Sequence, residues 1–320
     1  MGRTFCRTFC KFPRRQKSRV TYVPTRERNQ TKMQNHSNHL LKKIKQAQLV
    51  ATDLDGTLLD NNGEIPERTR KSVKKLKALG VQFAIMTARA HSSAERIADE
   101  LGLSAPIISL DGGLVRLPHG GQNIFASYIN PNVVRSVIAE SEKRFGSVAL
   151  FTDDKMVRLE SYNTLPGYID SLELDAVTVE DLLPFADRTI QVIVSAATKE
   201  AVKAIARRSV GLFSAADSKV YANSRNGDRW YLEIRNKSYS KATGLAHLEK
   251  YFRVSRSQVA VLGDFRNDIE AFKRAGIGVA MKNAVWELKQ QADLVTEATN
   301  DEGGAAEFFD LICEVRSNHK

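Results

Sequence analysis

Three short apolar runs, at 49–52, 81–86 and 106–110, alternate with two stretches of helical spacing, and no other feature constrains the fold as much. A chain that repeats strand, helix, strand buries both element types as parallel βαβ crossovers. The first helix, 66–79, has Pro66 at its start, Val73, Leu76 and Leu79 on one face and Gly80 as its stop. A second is expected over 93–101. The rhythm resumes late in the chain, with helices over 242–252, 269–275, 284–291 and 305–315 and strands over 258–262, 278–281 and 294–296.

Between these halves the pattern changes. A hairpin-like stretch, "RLPHGGQNIFASYI", is followed by a helix at 132–145, strands near 147–151 and 189–195, a helix at 199–208 and a strand at 219–222. Strands and helices without strict alternation read as an α+β insert. The expected class is therefore α/β: a Rossmann-like doubly wound parallel sheet from 47–113 and 230–320, carrying an α+β domain over 114–229.

The chain has 320 residues and a net charge of +11. The charge is not spread evenly. Residues 1–48 hold thirteen Lys and Arg against the single acid Glu27, which leaves the remainder at −1. Residues 1–46 read as a disordered basic tail, or as sequence ahead of a start at Met33. An Arg-rich, acid-poor start also has the look of an organelle-targeting segment, but the stretch is not especially Ser-rich. Binding of nucleic acid through the tail is the minor expectation, since the body is nearly neutral. Three cysteines make no disulfide framework, and no apolar stretch approaches the roughly 20 residues of a membrane span. The expected setting is the cytoplasm.

In an open parallel sheet, ligands sit beyond the carboxyl ends of the strands, and the reactive residues fall there. Asp53 and Asp55 follow the first strand, Thr87 and Arg89 the second, Asp111 the third, and Asp264, Asn267 and Asp268 the strand at 258–262. Two unit charges 4 Å apart repel by about 4 kcal/mol at an effective dielectric near 20. A third carboxylate needs a cation, and oxygen ligands shared with a phosphate suit Mg2+. Thr87, the small Ala88, Lys241 and the Asn267 amide suit phosphate oxygens.

"DLDGTLL", "TAR", "SK" and "GDFRND" resemble, in order, the four motifs of the haloacid dehalogenase-like superfamily. The long insert, with "AMKNA" and "DEGGAA" downstream, resembles its Cof-type branch with a large type-2 cap. The resemblance covers about 48–309. It implies a Mg2+-dependent phosphatase acting on a small phosphorylated metabolite, a sugar phosphate or a phosphorylated cofactor. Asp53 would be the nucleophile that becomes an aspartyl-phosphate, and Asp55 the general acid and base. Asp53, the Asp55 backbone carbonyl and Asp264 would hold the metal, with Asp268 supporting that shell. Leu54, Thr87, Ala88, Lys241 and Asn267 would hold the phosphoryl oxygens.

The chain departs from the family pattern at three places. Ala88 stands for the usual glycine, Asp111-Gly112-Gly113 for Asn-Gly-Ala, and Asn236 and Ser238 for Pro and Gly ahead of the lysine. Arg89 and Asp111 are candidates for substrate contact, Arg89 equally for a structural ion pair. His91 and Arg225 are candidates as well, and for His91, Asp111 and Arg225 alike the structural reading is preferred; Trp230 and Trp286 are expected in the core. A phosphomutase using the same aspartyl-phosphate is the nearest alternative activity. The sequence names neither the substrate nor the oligomeric state.

Overall fold

The computed structural model describes residues 39–159, 176–211, 214–223 and 229–317. The core half opens with β1 (Leu49–Thr52), α1 (Glu67–Ala78), β2 (Gln82–Ile85), α2 (His91–Glu100) and β3 (Ile107–Ser109). A hairpin of β4 (Leu114–Arg116) and β5 (Asn123–Ala126) leads into α3 (Pro131–Glu142). The insert continues through β6 (Ser147–Thr152), β7 (Met156–Leu159), β8 (Ala176–Val179), β9 (Thr189–Ala196), α4 (Lys199–Ser209), β10 (Ala216–Asn223) and β11 (Arg229–Asn236). The chain then returns to the core with α5 (Lys241–Phe252), β12 (Val259–Gly263), α6 (Ile269–Arg274), β13 (Ile277–Ala280), α7 (Trp286–Lys289), β14 (Leu294–Val295) and α8 (Gly304–Ser317).

The core sheet is parallel, in the order β14-β13-β12-β1-β2. β1 lies between β12 and β2, with Thr52 opposite Leu262 on one side and Ile85 on the other, so the ends of β1, β2 and β12 meet in one crevice. All four residues of β1 are buried, as a strand covered by helices on both faces must be. The Phe83 and Phe309 rings meet edge to face at 5.3 Å and tie β2 to α8. Residues 40–46 are helical and Ile44 is buried in the same core, so the ordered body begins ahead of residue 47. The rest of the expected tail, and the position of Arg225, lie outside the described residues.

The third expected core strand behaves differently. β3 touches the core sheet through one bridge, Met86 to Ile108, and pairs antiparallel with β4, which pairs with β5. The insert forms a six-stranded sheet, β10-β11-β9-β6-β7-β8. β11 is hydrogen-bonded along its length to β10 and β9. Residues 229–236 thus belong to the insert's sheet, and the chain re-enters the core after Asn236 rather than at 230. One face of this sheet, with Val148, Leu150, Val192, Val194, Leu232 and Ile234, packs on Val134, Val137 and Ile138 of α3 and Val202 and Ile205 of α4. The other face contributes Ala149, Phe151, Ile193 and Tyr231 to a junction cluster with Leu110, Leu114 and Tyr239.

Two expected features fail locally. The helix over 284–291 shrinks to the four residues of α7. Trp286, expected in the core, is 70% exposed, while Trp230 is partly covered with Lys199 over its ring at 4.6 Å. Among the described residues no helix is long and apolar enough to cross a membrane.

Candidate active site

Asp53 directly follows β1, its N–H still donating to the Leu262 carbonyl at 3.1 Å. Its side chain is fixed by both neighbours: the Leu54 N–H donates to Oδ1 at 2.8 Å and Lys241 Nζ lies 2.9 Å from Oδ2. The chain then turns sharply. Asp55 is extended, and Gly56, at φ +73°, has no room for a Cβ, which would lie 2.4 Å from Asp264 Oδ2. Glycine is required there both for the left-handed backbone and for the close approach of that carboxylate. Thr57 Oγ1 donates to Asp264 Oδ1 at 3.2 Å, and Asn283 Nδ2 to the Gly56 carbonyl at 2.7 Å.

Lys241 opens α5 and is 1% exposed. Beside Asp53 it meets Asp268 Oδ1 at 2.7 Å, and Asp268 is itself fully buried. The second Asp268 oxygen accepts from the N–H groups of Asp264 and Phe265, at 3.2 and 3.1 Å. Asp268 therefore braces the turn after β12 as well as pairing with the lysine. Carboxylate oxygens of Asp53, Asp264 and Asp268 all lie within 4.8 Å of one another.

Three acids around one lysine leave uncompensated negative charge. Burial, with the nearby Asp268 charge, holds the Asp53 carboxyl well above its ordinary value against the pull of Lys241. Burial and Asp268 push Asp264 up to about 6. Lys241 moves up as well, because Asp53 and Asp268 outweigh its own desolvation. A hard divalent cation suits this set, since all three side-chain donors are oxygens and the cluster resists full ionisation without one.

Asp55 stands apart from the cluster. Its side chain is 61% exposed and is held bidentate by Arg89, Nε to Oδ2 at 2.9 Å and Nη2 to Oδ1 at 2.6 Å. The ion-pair option for Arg89 is thus realised, with Asp55 as the partner. The Met86 N–H donates to Thr52 O at 2.8 Å, which brings Thr87 alongside Asp53 at the strand ends. Thr87 is buried and its hydroxyl accepts from the Arg89 N–H at 3.2 Å, whereas Ala88 is exposed.

Asp111, at φ +54°, accepts from Asn267 Nδ2 at 2.9 Å through Oδ1 and meets Arg235 Nη1 at 3.4 Å through Oδ2. It joins the turn after β3, the turn after β12 and the insert's strand β11. The neighbouring Gly112 is obligatory, because a Cβ would lie 2.1 Å from the Ser240 carbonyl. His91, 9% exposed, is pushed down to about 4 by burial and is a neutral packing residue.

Thr57 and Asn283 escaped the sequence reading as site residues, although Asn283 stands inside the "AMKNA" stretch already noted. Arg235 and Tyr239 were missed as well. The alternation Trp230, Leu232, Ile234 in "RWYLEIRN" was the available signal for the strand that carries Arg235.

The sequence pattern of the haloacid dehalogenase-like hydrolases matches residues 50–309. The chain is 31% identical over 265 residues to the 5-amino-6-(5-phospho-D-ribitylamino)uracil phosphatase YitU of Bacillus subtilis, covering 82% of this chain and 96% of that protein. Its fold is similar to that of a haloacid dehalogenase-like hydrolase from Bacteroides thetaiotaomicron, with a TM-score of 0.71, 23% identity, and 83% and 99% of the two chains covered. A Thermotoga maritima protein, TM0651, has the same TM-score at 24% identity, over 82% and 97% of the chains. With the parallel core, the inserted sheet and the acid cluster at the strand ends, these matches establish that the chain belongs to the haloacid dehalogenase-like hydrolases, in the Cof-type branch.

Proposed function

We propose that the protein is a Mg2+-dependent phosphatase of a small phosphorylated metabolite, working through an aspartyl-phosphate on Asp53. The observation that carries this reading is the Asp53 carboxylate held between the Leu54 N–H and a fully buried Lys241, within reach of Asp264 and Asp268. The similarity to a ribitylaminouracil phosphate phosphatase supports a phosphorylated metabolite as substrate.

In this reading an Asp53 oxygen attacks phosphorus while the P–O bond to the leaving group breaks. The leaving oxygen takes its proton from Asp55, which later removes one from the water that cleaves the aspartyl-phosphate. Arg89 positions Asp55, and its exposure lets that side chain turn between the salt bridge and the substrate. Lys241, the Leu54 N–H, Thr87, Ala88 and Asn267 offer donors to the phosphoryl oxygens, the largest kind of catalytic term for such a charged transfer. A divalent cation held by Asp53, Asp264 and the Asp55 carbonyl would supply positive charge to the same oxygens, with Asp268 bracing Asp264.

The test is phosphate release from p-nitrophenyl phosphate with Mg2+ or with EDTA, for wild type, Asp53→Asn and Asp55→Asn. Asp53→Asn should abolish turnover and the covalent intermediate, and Asp55→Asn should slow its formation and breakdown. Activity indifferent to EDTA and to Asp53→Asn refutes the reading. Transfer to a second sugar hydroxyl without free phosphate would point to a mutase instead.

A further inference from the structure

Strand β11 presents alternate side chains to opposite faces of its sheet. Trp230, Leu232 and Ile234 pack with the insert's helices, so Tyr231, Glu233 and Arg235 lie on the face that joins the core. There a cavity of about 290 Å3 opens, walled by Asp111, Arg235, Lys237, Tyr239, Lys241 and Asn267. Lys241 is the link to the chemistry, since its Nζ is 2.9 Å from Asp53.

We propose that this cavity is a second anion subsite, in which Arg235 and Lys237 hold an acidic group carried by the leaving group of the substrate. The inference rests on the phosphatase reading and narrows its substrate class.

Arg235 meets Asp111 through one nitrogen at 3.4 Å, longer than the roughly 2.7–2.9 Å of a full charge-assisted bond, and its guanidinium lies over the Tyr239 ring at 5.7 Å. The Lys237 ammonium donates to a neutral acceptor, the Ser214 carbonyl, at 3.2 Å. Two cations therefore face the cavity with no carboxylate fully engaged by either. The acids nearby compete weakly: Asp111 also accepts from Asn267, Glu233 accepts from Gln191 Nε2 at 2.9 Å, and Glu270 is exposed at the rim, where solvent screens it. The Tyr239 hydroxyl, on a side chain 4% exposed, has no hydrogen-bond partner among the described residues. A buried hydroxyl without a partner is costly, and a bound carboxylate would accept from it. The planar fork of an arginine suits a carboxylate in particular.

The test compares two substrates of one carbon skeleton, 3-phosphoglycerate and glycerol 3-phosphate, with p-nitrophenyl phosphate as reference. Wild type should favour the carboxylate by about tenfold or more in kcat/KM, the worth of one charge-assisted contact. Arg235→Gln should bring that ratio to near one, and Lys237→Gln should lower it in part. Release from p-nitrophenyl phosphate with a wild-type ratio near one refutes the subsite and leaves the phosphatase reading standing. Variants that slow both substrates in equal proportion refute it too. No release from any of the three refutes the phosphatase reading, and the subsite with it.

Discussion

Lys241→Met removes the one charge that the described structure sets against Asp53 and Asp268, while keeping a straight apolar stem of similar length. Both ion pairs are short, at 2.9 and 2.7 Å, and none of the three side chains is more than 9% exposed. Breaking a buried pair by deleting one partner costs about 3–5 kcal/mol, because the remaining charge stays buried. In a protein of this size each kcal/mol shifts the melting temperature by about 2–4 °C, so the variant should melt about 6–20 °C below wild type in EDTA near pH 7.5. The pH dependence has a definite sign. Asp53 already binds its proton more tightly in the folded state than in the unfolded one, and without Lys241 it will do so more tightly still. Folded Asp53 then holds a proton that the unfolded chain has lost, so the variant's stability falls as pH rises from about 3.8 through the folded pKa. The deficit is therefore largest near neutrality and shrinks on acidification. Excess Mg2+ should recover part of it by meeting the same carboxylates. Melting within about 2 °C of wild type in EDTA, or a deficit that grows toward pH 5, would refute the electrostatic account of this cluster.

Metal affinity should follow Asp264, whose carboxyl sits at about 6 because of burial and its neighbour Asp268. A cation that displaces one proton binds about tenfold more weakly per pH unit below that value, and the raised Asp53 adds to the fall, so calorimetry should show Mg2+ affinity clearly lower at pH 5 than above neutrality. Equal affinity at both ends would be the contrary result. Gly56→Ala forces a side chain into the left-handed region, at about 1–2 kcal/mol, and drives its methyl into Asp264 Oδ2. Gly63→Ala carries the same backbone strain, at φ +84°, but meets nothing within 4 Å. Gly56→Ala should lose more stability than Gly63→Ala, by the cost of that clash, and it alone should lose Mg2+ binding and phosphatase activity; equal stability and activity in both would show that the Asp264 contact does not matter.

What the sequence disclosed and what it hid have different physical origins. Strands β1 and β12 are buried throughout, and β2 is buried apart from Gln82, so they read as apolar runs; each run leads directly into a residue of the candidate site, which makes the acid cluster legible. β3 ends its run at Asp111 in the same way, yet the run does not reveal that the strand turns antiparallel with β4, because pairing direction leaves no mark on composition. β11 was overlooked because its second face mixes the buried Tyr231 with the charged Glu233 and Arg235, which breaks the apolar pattern. That face is where Arg235 stands. The same half-polar pattern that weakens a strand's signal is what the proposed subsite would require of a strand facing substrate. A motif reports chemistry that repeats at a fixed place along the backbone, here Asp53, Asp264 and Lys241. In the proposed subsite, selectivity would come from the far side of the cleft, where Asp111 reaches Arg235 across 124 residues of chain. The replacement of an expected asparagine by Asp111 then has a physical sense: a carboxylate at that turn accepts from Asn267 of the core and steadies Arg235 of the insert from 3.4 Å without fully engaging it.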